Sequence, residues 1–223
     1  MANTNILGLT LTLTPAALTA LRIAPLIGST ASLTHAYMEW LVTTSFLSPA
    51  PIHSATSRFV LGLNALPSPP AVSGQKPNPE EVSQTYAELE HAMQVVVPHW
   101  FTTFFNTALY SVVGFNTFTL VSASLNLLVS SSQSGGEESM RFYGIGLVAA
   151  ATHYAFVPLV GWSVKALIGL CAGRIQGSGE AGREKKAVEW MREWVGWHRI
   201  RMATVDTIAW ACFAWGVIEA LTV

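Results

Sequence analysis

The chain has 223 residues, of which 51% are hydrophobic and only 11% charged, with a formal net charge of −1. A soluble domain is usually about 25% charged, so this deficit, with a mean hydropathy of +0.40, excludes an ordinary water-soluble globule. The near-neutral balance also lacks the basic footprint of nucleic-acid binding. The two cysteines, Cys171 and Cys212, lie in or beside apolar stretches without paired-ligand spacing, which indicates neither a disulfide framework nor a zinc site.

The N-terminal stretch has no positively charged opening of the kind a secretory signal carries, and it reads as the approach to a retained helix. A spanning helix needs about 20 mostly apolar residues, because the hydrocarbon core is about 30 Å thick and each residue rises about 1.5 Å. Four segments meet that requirement, at about 15–46, 95–129, 142–170 and 184–223, and they predict an all-α integral membrane four-helix bundle in one domain. The first has Thr14 as a cap and Pro25 as a site of kinking. A Pro-, Ser- and Ala-rich loop follows at about 48–79. Asn78, Pro79 and two acids then restart a helix before the second span. The third contains Pro158, and Lys165 is placed to snorkel. The fourth begins amphipathic and turns apolar from Ile200.

Orientation follows from the basic residues. Arg174, Arg183, Lys185, Lys186 and Arg192 cluster at the start of the fourth helix, whereas the Ser/Gly turn after the second carries Glu137 and Glu138. Positive residues mark the cytosolic side. The first and third loops are therefore expected in the cytosol, with both termini and the second loop opposite, in a multi-pass protein of an endoplasmic-reticulum-type membrane.

Ionisable groups within a membrane cost about 2.5–3.5 kcal/mol each on insertion scales, so they are candidates for function. His35 and Glu39 are four residues apart on one face of the first helix. The second helix offers His99, Thr103, Asn106 and Tyr110 in a stripe, and the third offers His153. The fourth offers Trp194, His198, Arg199, Arg201 and Asp206, with Arg199 and Asp206 two turns apart on roughly one face. Counting about 1.5 Å per residue from the cytosolic ends puts His35, Asn106, His153 and Asp206 at a common depth. That predicts an intramembrane polar pocket facing the cytosol or the inner leaflet. Asn116 and Asn126 fall nearer the other end and read as structural. All these groups also have a purely structural use as hydrogen-bonding glue between helices.

The histidines come one per helix without an H-E-x-x-H pattern, so no metal is expected. No motif for haem, flavin, nicotinamide or a covalent nucleophile is visible, so no cofactor is expected either. Asp, Glu, His, Arg and Tyr suffice for general acid–base work, in which a neighbouring Arg keeps one buried carboxyl charged. The predicted catalytic set is Asp206, Glu39, His35, His153, His198 and Arg201. Asn106, Tyr110, Arg199 and Trp194 are predicted to bind a lipophilic small-molecule substrate.

The segment "EWMREWVGWHRIRMATVDTIAWACF", and more loosely "NTALYSVVGFNTFTL" and "FYGIGLVAAATHYAFVPLVG", resembles a family of small four-helix membrane proteins of fungal secondary metabolism, the anthrone oxygenases among them. The motif is a Trp followed by a polar residue and an Arg ahead of an apolar run, here Trp194 or Trp197, His198 and Arg201. Asp206 departs from the more uniformly apolar last helix of the anthrone oxygenases. The chain also looks like the membrane hydrolases and cyclases, found beside polyketide synthases, that open polyene-derived epoxides. That resemblance implies that Asp206 and Glu39 divide the base and acid roles, tuned by His198 and by Arg199 or Arg201. It also implies functional association with a polyketide synthase and an epoxidising monooxygenase. The expected function is cofactor-independent epoxide hydrolysis or cyclisation of a lipophilic polyketide. The alternatives are an anthrone-type oxygenase and a non-catalytic membrane scaffold.

Overall fold

A computed structural model describes residues 2–6, 9–47, 55–60, 79–130, 137–173 and 185–222. The Pro-rich loop, apart from a short helix α2 (Ala55–Val60), and Asn78, Arg174 and Arg183 lie outside the described residues. Four helical segments among those described are long and apolar enough to cross a membrane: Pro15–Ser45, His91–Val129, Glu137–Cys171 and Ala187–Thr222. They pack in an antiparallel ring, the first against the second and fourth, and the third against the second and fourth.

The N-terminal approach is a two-stranded antiparallel hairpin, β1 (Ala2–Ile6) and β2 (Leu9–Leu13), with Ala2 opposite Leu13 and Ile6 opposite Leu9. The alternating Leu and Thr of 9–13 supply the period of two that a strand needs. Helix α1 (Pro15–Ser45) then starts where the Thr14 hydroxyl accepts the amide of Ala17 at 3.2 Å, with Pro15 at its first position. Pro25 cannot offer an N–H to the carbonyl of Leu21. Asn126 supplies the missing donor from the neighbouring helix, its Nδ2 lying 2.6 Å from that carbonyl. The Tyr143 hydroxyl donates to the next carbonyl, of Arg22, at 2.8 Å, and the Arg22 guanidinium donates to the carbonyl of Ala220 at 2.6 Å. All four spans are thus tied together around the proline.

Helix α3 (Pro79–Ser130) is continuous, so the turn starting at Pro79 and the second span form one rod of 52 residues. The third span is broken at mid-length. Helix α4 (Glu137–Thr152) passes into a 3-10 turn, His153–Phe156, and then into α5 (Val157–Cys171). Pro158, in the first turn of α5, has no N–H for a bond four residues back and favours this tightening. The fourth span is broken at mid-length in the opposite sense. Helix α6 (Ala187–Arg201) and helix α7 (Thr207–Thr222) are joined by a widened π turn, Met202–Asp206, in which the Thr207 amide reaches back to the carbonyl of Met202. The start of α6 is fixed from outside, because the Gln94 side-chain oxygen accepts the amide of Ala187 at 2.7 Å.

The core has two apolar layers. One is built on Val97, Phe101, Leu167, Met191 and Trp194, with Trp40, Phe46 and Phe105 packed on it. The other is built on Ala123, Tyr143, Ala150, Phe213 and Val217, with Ile23, Leu26 and Leu120 packed on it. Gly146 brings α4 close to α7, since a Cβ there would stand 2.7 Å from the Phe213 ring. The outward faces carry exposed apolar side chains such as Ile27, Val113, Val148, Trp162, Ile208 and Ile218, as a lipid-facing surface requires.

Candidate functional site

Between the two apolar layers lies a buried polar cluster, and both mid-span irregularities fall on it. The 3-10 turn carries His153 and the π turn ends on Asp206. The two side chains meet at 2.9 Å between His153 Nδ1 and Asp206 Oδ1. Non-α turns within helices are concentrated at functional sites because they redirect side chains at the expense of regular backbone bonds. Here they also explain a pairing that an unbroken α-helix forbids. Residues five apart on an α-helix are about 140° apart around its axis, yet Arg201 Nε donates to Asp206 Oδ2 at 3.2 Å. The i→i+5 spacing of the π turn is what brings them onto one face.

The network continues from Arg201. Its Nη2 donates to His198 Nδ1 at 3.3 Å, and His198 Nε2 lies 2.8 Å from the carbonyl of Ala36 on α1. A carbonyl only accepts, so His198 carries its proton on Nε2 and receives the guanidinium on Nδ1. The same logic fixes the other imidazole: Asp206, as the charge partner of Arg201, only accepts, so His153 carries its proton on Nδ1. In the neutral ring the lone pair of His153 is then on Nε2. Trp194 supports His198 by stacking on its ring, with centroids 4.8 Å apart and planes 16° apart.

Glu39 adjoins this chain with a different set of neighbours. Its Oε2 is 3.7 Å from His198 Nε2, and its Oε1 is 3.4 Å from His35 Nδ1, an atom that is buried without a hydrogen-bond partner. Among the described residues, the ionisable groups within 4 Å of the Glu39 carboxyl are these two imidazoles, whereas Asp206 has the guanidinium as well as an imidazole. His198 is 1% exposed, Glu39 6% and Asp206 8%. Arg201 and Asp206 balance each other's charge, so a neutral Glu39 leaves the cluster without net charge in a medium where net charge is costly. No three His, Cys, Asp or Glu side chains among the described residues converge as metal ligands.

Six predicted residues, His35, Glu39, His153, His198, Arg201 and Asp206, and the supporting Trp194 are thus brought together. Three others are not. Tyr110 is 81% exposed and Asn106 is also exposed, because the stripe they share is the lipid-facing side of α3. His99 on the same side is turned onto its own helix, 2.8 Å from the carbonyl of Val95. Arg199 is exposed too, and the partner of Asp206 is Arg201 rather than Arg199. The reason is the π turn, whose extra residue shifts Asp206 around the axis relative to everything before it. The backbone carbonyl of Ala36 is a member of the network that no side-chain pattern announces. Beside the π turn, on the outer side, Leu33, Thr34, Tyr37, Met202, Ala203 and Thr207 line a cleft of about 370 Å³ between α1 and the fourth span.

No protein-family profile matches the chain, and no solved structure matches it. The chain is similar to "Oxaleimides biosynthesis cluster protein N" of Penicillium oxalicum, with 24% identity over 205 residues that make up 92% of this chain and 92% of the relative. The protein of that name from Penicillium oxalicum strain 114-2 matches to the same extent.

Proposed function

We propose that this chain is a membrane enzyme of fungal secondary metabolism that works on a lipophilic small molecule by acid–base chemistry, with epoxide opening as the reaction. The observation that carries the reading is the buried network itself: two carboxyls in unlike surroundings, joined through His198, Arg201 and His153 across three helices. Its similarity to a protein of the oxaleimides biosynthesis cluster supports a place in a biosynthetic cluster.

The roles follow from the proton positions. Asp206 accepts Nδ1–H of His153 and so holds that ring with Nε2 free to act as a base. Arg201 keeps Asp206 charged and oriented by a directed N–H bond. Glu39 in its neutral form is the acid. In the step, His153 Nε2 takes a proton from water, or from a hydroxyl of the substrate, as that oxygen attacks an epoxide carbon. The carbon–oxygen bond of the ring breaks, and Glu39 delivers its proton to the departing oxygen. Water as nucleophile yields a diol and an internal hydroxyl yields a cyclic ether. The proton gained by His153 returns to Glu39 and closes the cycle.

The test begins with deletion of the gene in its native host and identification of the compound that accumulates. That compound is then given to membranes containing the wild type, Asp206→Asn or Glu39→Gln, in ¹⁸O-water under ordinary oxygen and in ordinary water under ¹⁸O₂. Label from water, or unlabelled isomerisation, supports the reading when both variants have lost at least a hundredfold in rate. Label from O₂ replaces it with the anthrone-type oxygenase. Wild-type rates in both variants leave the cluster with a structural role, as a scaffold would have.

A further inference from the structure

We infer that Asn116 is a substrate-binding residue, whose side-chain amide donates a hydrogen bond to an uncharged acceptor oxygen of the ligand; the inference rests on the reading of the cluster as a site for a lipophilic molecule. Asn116 is 4% exposed, and its Nδ2 is buried with no hydrogen-bond partner among the described residues. Ten residues further along α3, Asn126 has the same chemistry and the opposite situation. Its Nδ2 is bonded to the carbonyls of Leu21 and Ser122, at 2.6 and 2.9 Å. The buried hydroxyls between the two, of Thr119 and Ser122, are also bonded, to the carbonyls of Phe115 and Phe118. Within this stretch the amide of Asn116 alone is held free, and an unpaired buried donor is costly.

Its depth is that of the cluster. Asn126 on α3 and Tyr143 on α4 both reach the adjacent Leu21 and Arg22 carbonyls, which sets the two helices in register. Ten residues on from each, about 15 Å at the helical rise, stand Asn116 and His153. On α3 the apolar layers end at Phe105 on one side and Leu120 on the other, so Asn116 falls in the polar layer between them, as His153 and Asp206 do on their helices. Asn116 thereby supplies from α3 the polar group that Asn106, on the lipid-facing side, does not. A primary amide is neutral and cannot replace Glu39 as a proton donor. It suits a neutral oxygen acceptor on an otherwise apolar molecule, an epoxide or a carbonyl, and it discriminates against the same skeleton without that oxygen.

The test compares binding of trans-stilbene oxide with that of trans-stilbene, which has the same skeleton without the oxygen, to the purified full-length protein in lipid nanodiscs. The wild type is expected to prefer the oxide by about tenfold, the value of one hydrogen bond to a neutral acceptor. Asn116→Leu is expected to lose that preference while melting, without ligand, at or above the wild-type temperature, because it removes an unpaired buried donor. Asn116→Ala, which only leaves a gap, serves in its place if the leucine variant does not fold. A preference retained in the variant, or none in the wild type, overturns the inference. Binding is read without turnover, so a wild type that discriminates but converts nothing sinks the catalytic reading and not this one.

Discussion

The Arg201–Asp206 pair permits a quantitative test of whether the cluster is an electrostatic unit. Arg201→Met leaves a carboxylate, and Asp206→Leu a guanidinium, without its counter-charge among side chains that are nearly all buried. Breaking a buried pair from one side costs about 3–5 kcal/mol, because the remaining charge is uncompensated. If the two losses were independent, the double variant would lose about 6–10 kcal/mol. It removes both charges, however, and leaves only the neutral rings of His198 and His153 short of a partner, at about 1–3 kcal/mol each. The double variant is therefore expected to be about as stable as either single one, with a coupling energy of about 3–5 kcal/mol. Unfolding free energies from denaturant titration in mixed micelles, followed by tryptophan fluorescence, supply all four corners of the cycle. Costs that add to within about 0.5 kcal/mol would refute the reasoning, since the two groups would then act independently. All three variants are expected to lose turnover, because each disturbs the group that orients His153.

Asn126→Leu should lose about 1–3 kcal/mol by stripping the Leu21 carbonyl of its donor; adding Pro25→Ala, which restores a backbone N–H to that carbonyl, should recover part of it in the same titration. Gly146→Ala should cost about 1–3 kcal/mol by forcing a methyl against the Phe213 ring, visible as a lowered melting temperature. Arg201→Lys keeps the charge but cannot bond Asp206 and His198 together as the guanidinium does, so its rate should fall by about tenfold or more; an unchanged rate would show that charge alone suffices. A cysteine at Lys186 should react with a membrane-impermeant maleimide in sealed microsomes, whose outer face is cytosolic, without permeabilisation; labelling only after the vesicles are opened would reverse the orientation.

The sequence by itself determined the spans. A hydrocarbon slab about 30 Å thick demands runs of about 20 apolar residues, and the runs at 15–46, 95–129, 142–170 and 184–223 stand within a few residues of helices except where one continues outward, as α3 does to Pro79. It also determined a short roster of ionisable residues inside them, because any such residue stands out against an apolar background. Which of those residues meet was decided by the tertiary structure. Periodicity at 3.6 residues per turn assumes unbroken α-helices, and by that rule Arg199 faces Asp206. The π turn after Arg201 breaks the rule and puts Arg201 there instead. Asn106 and Asn116 are chemically identical and both lie within the second span. Only the rotation of α3 against its neighbours turns one to the lipid and the other into the bundle. That rotation follows from close approaches such as that of Gly28 on α1 to Thr119 on α3 and from the tie between Asn126 and the carbonyl freed by Pro25. These are contacts between residues far apart in the chain, so no local pattern encodes them.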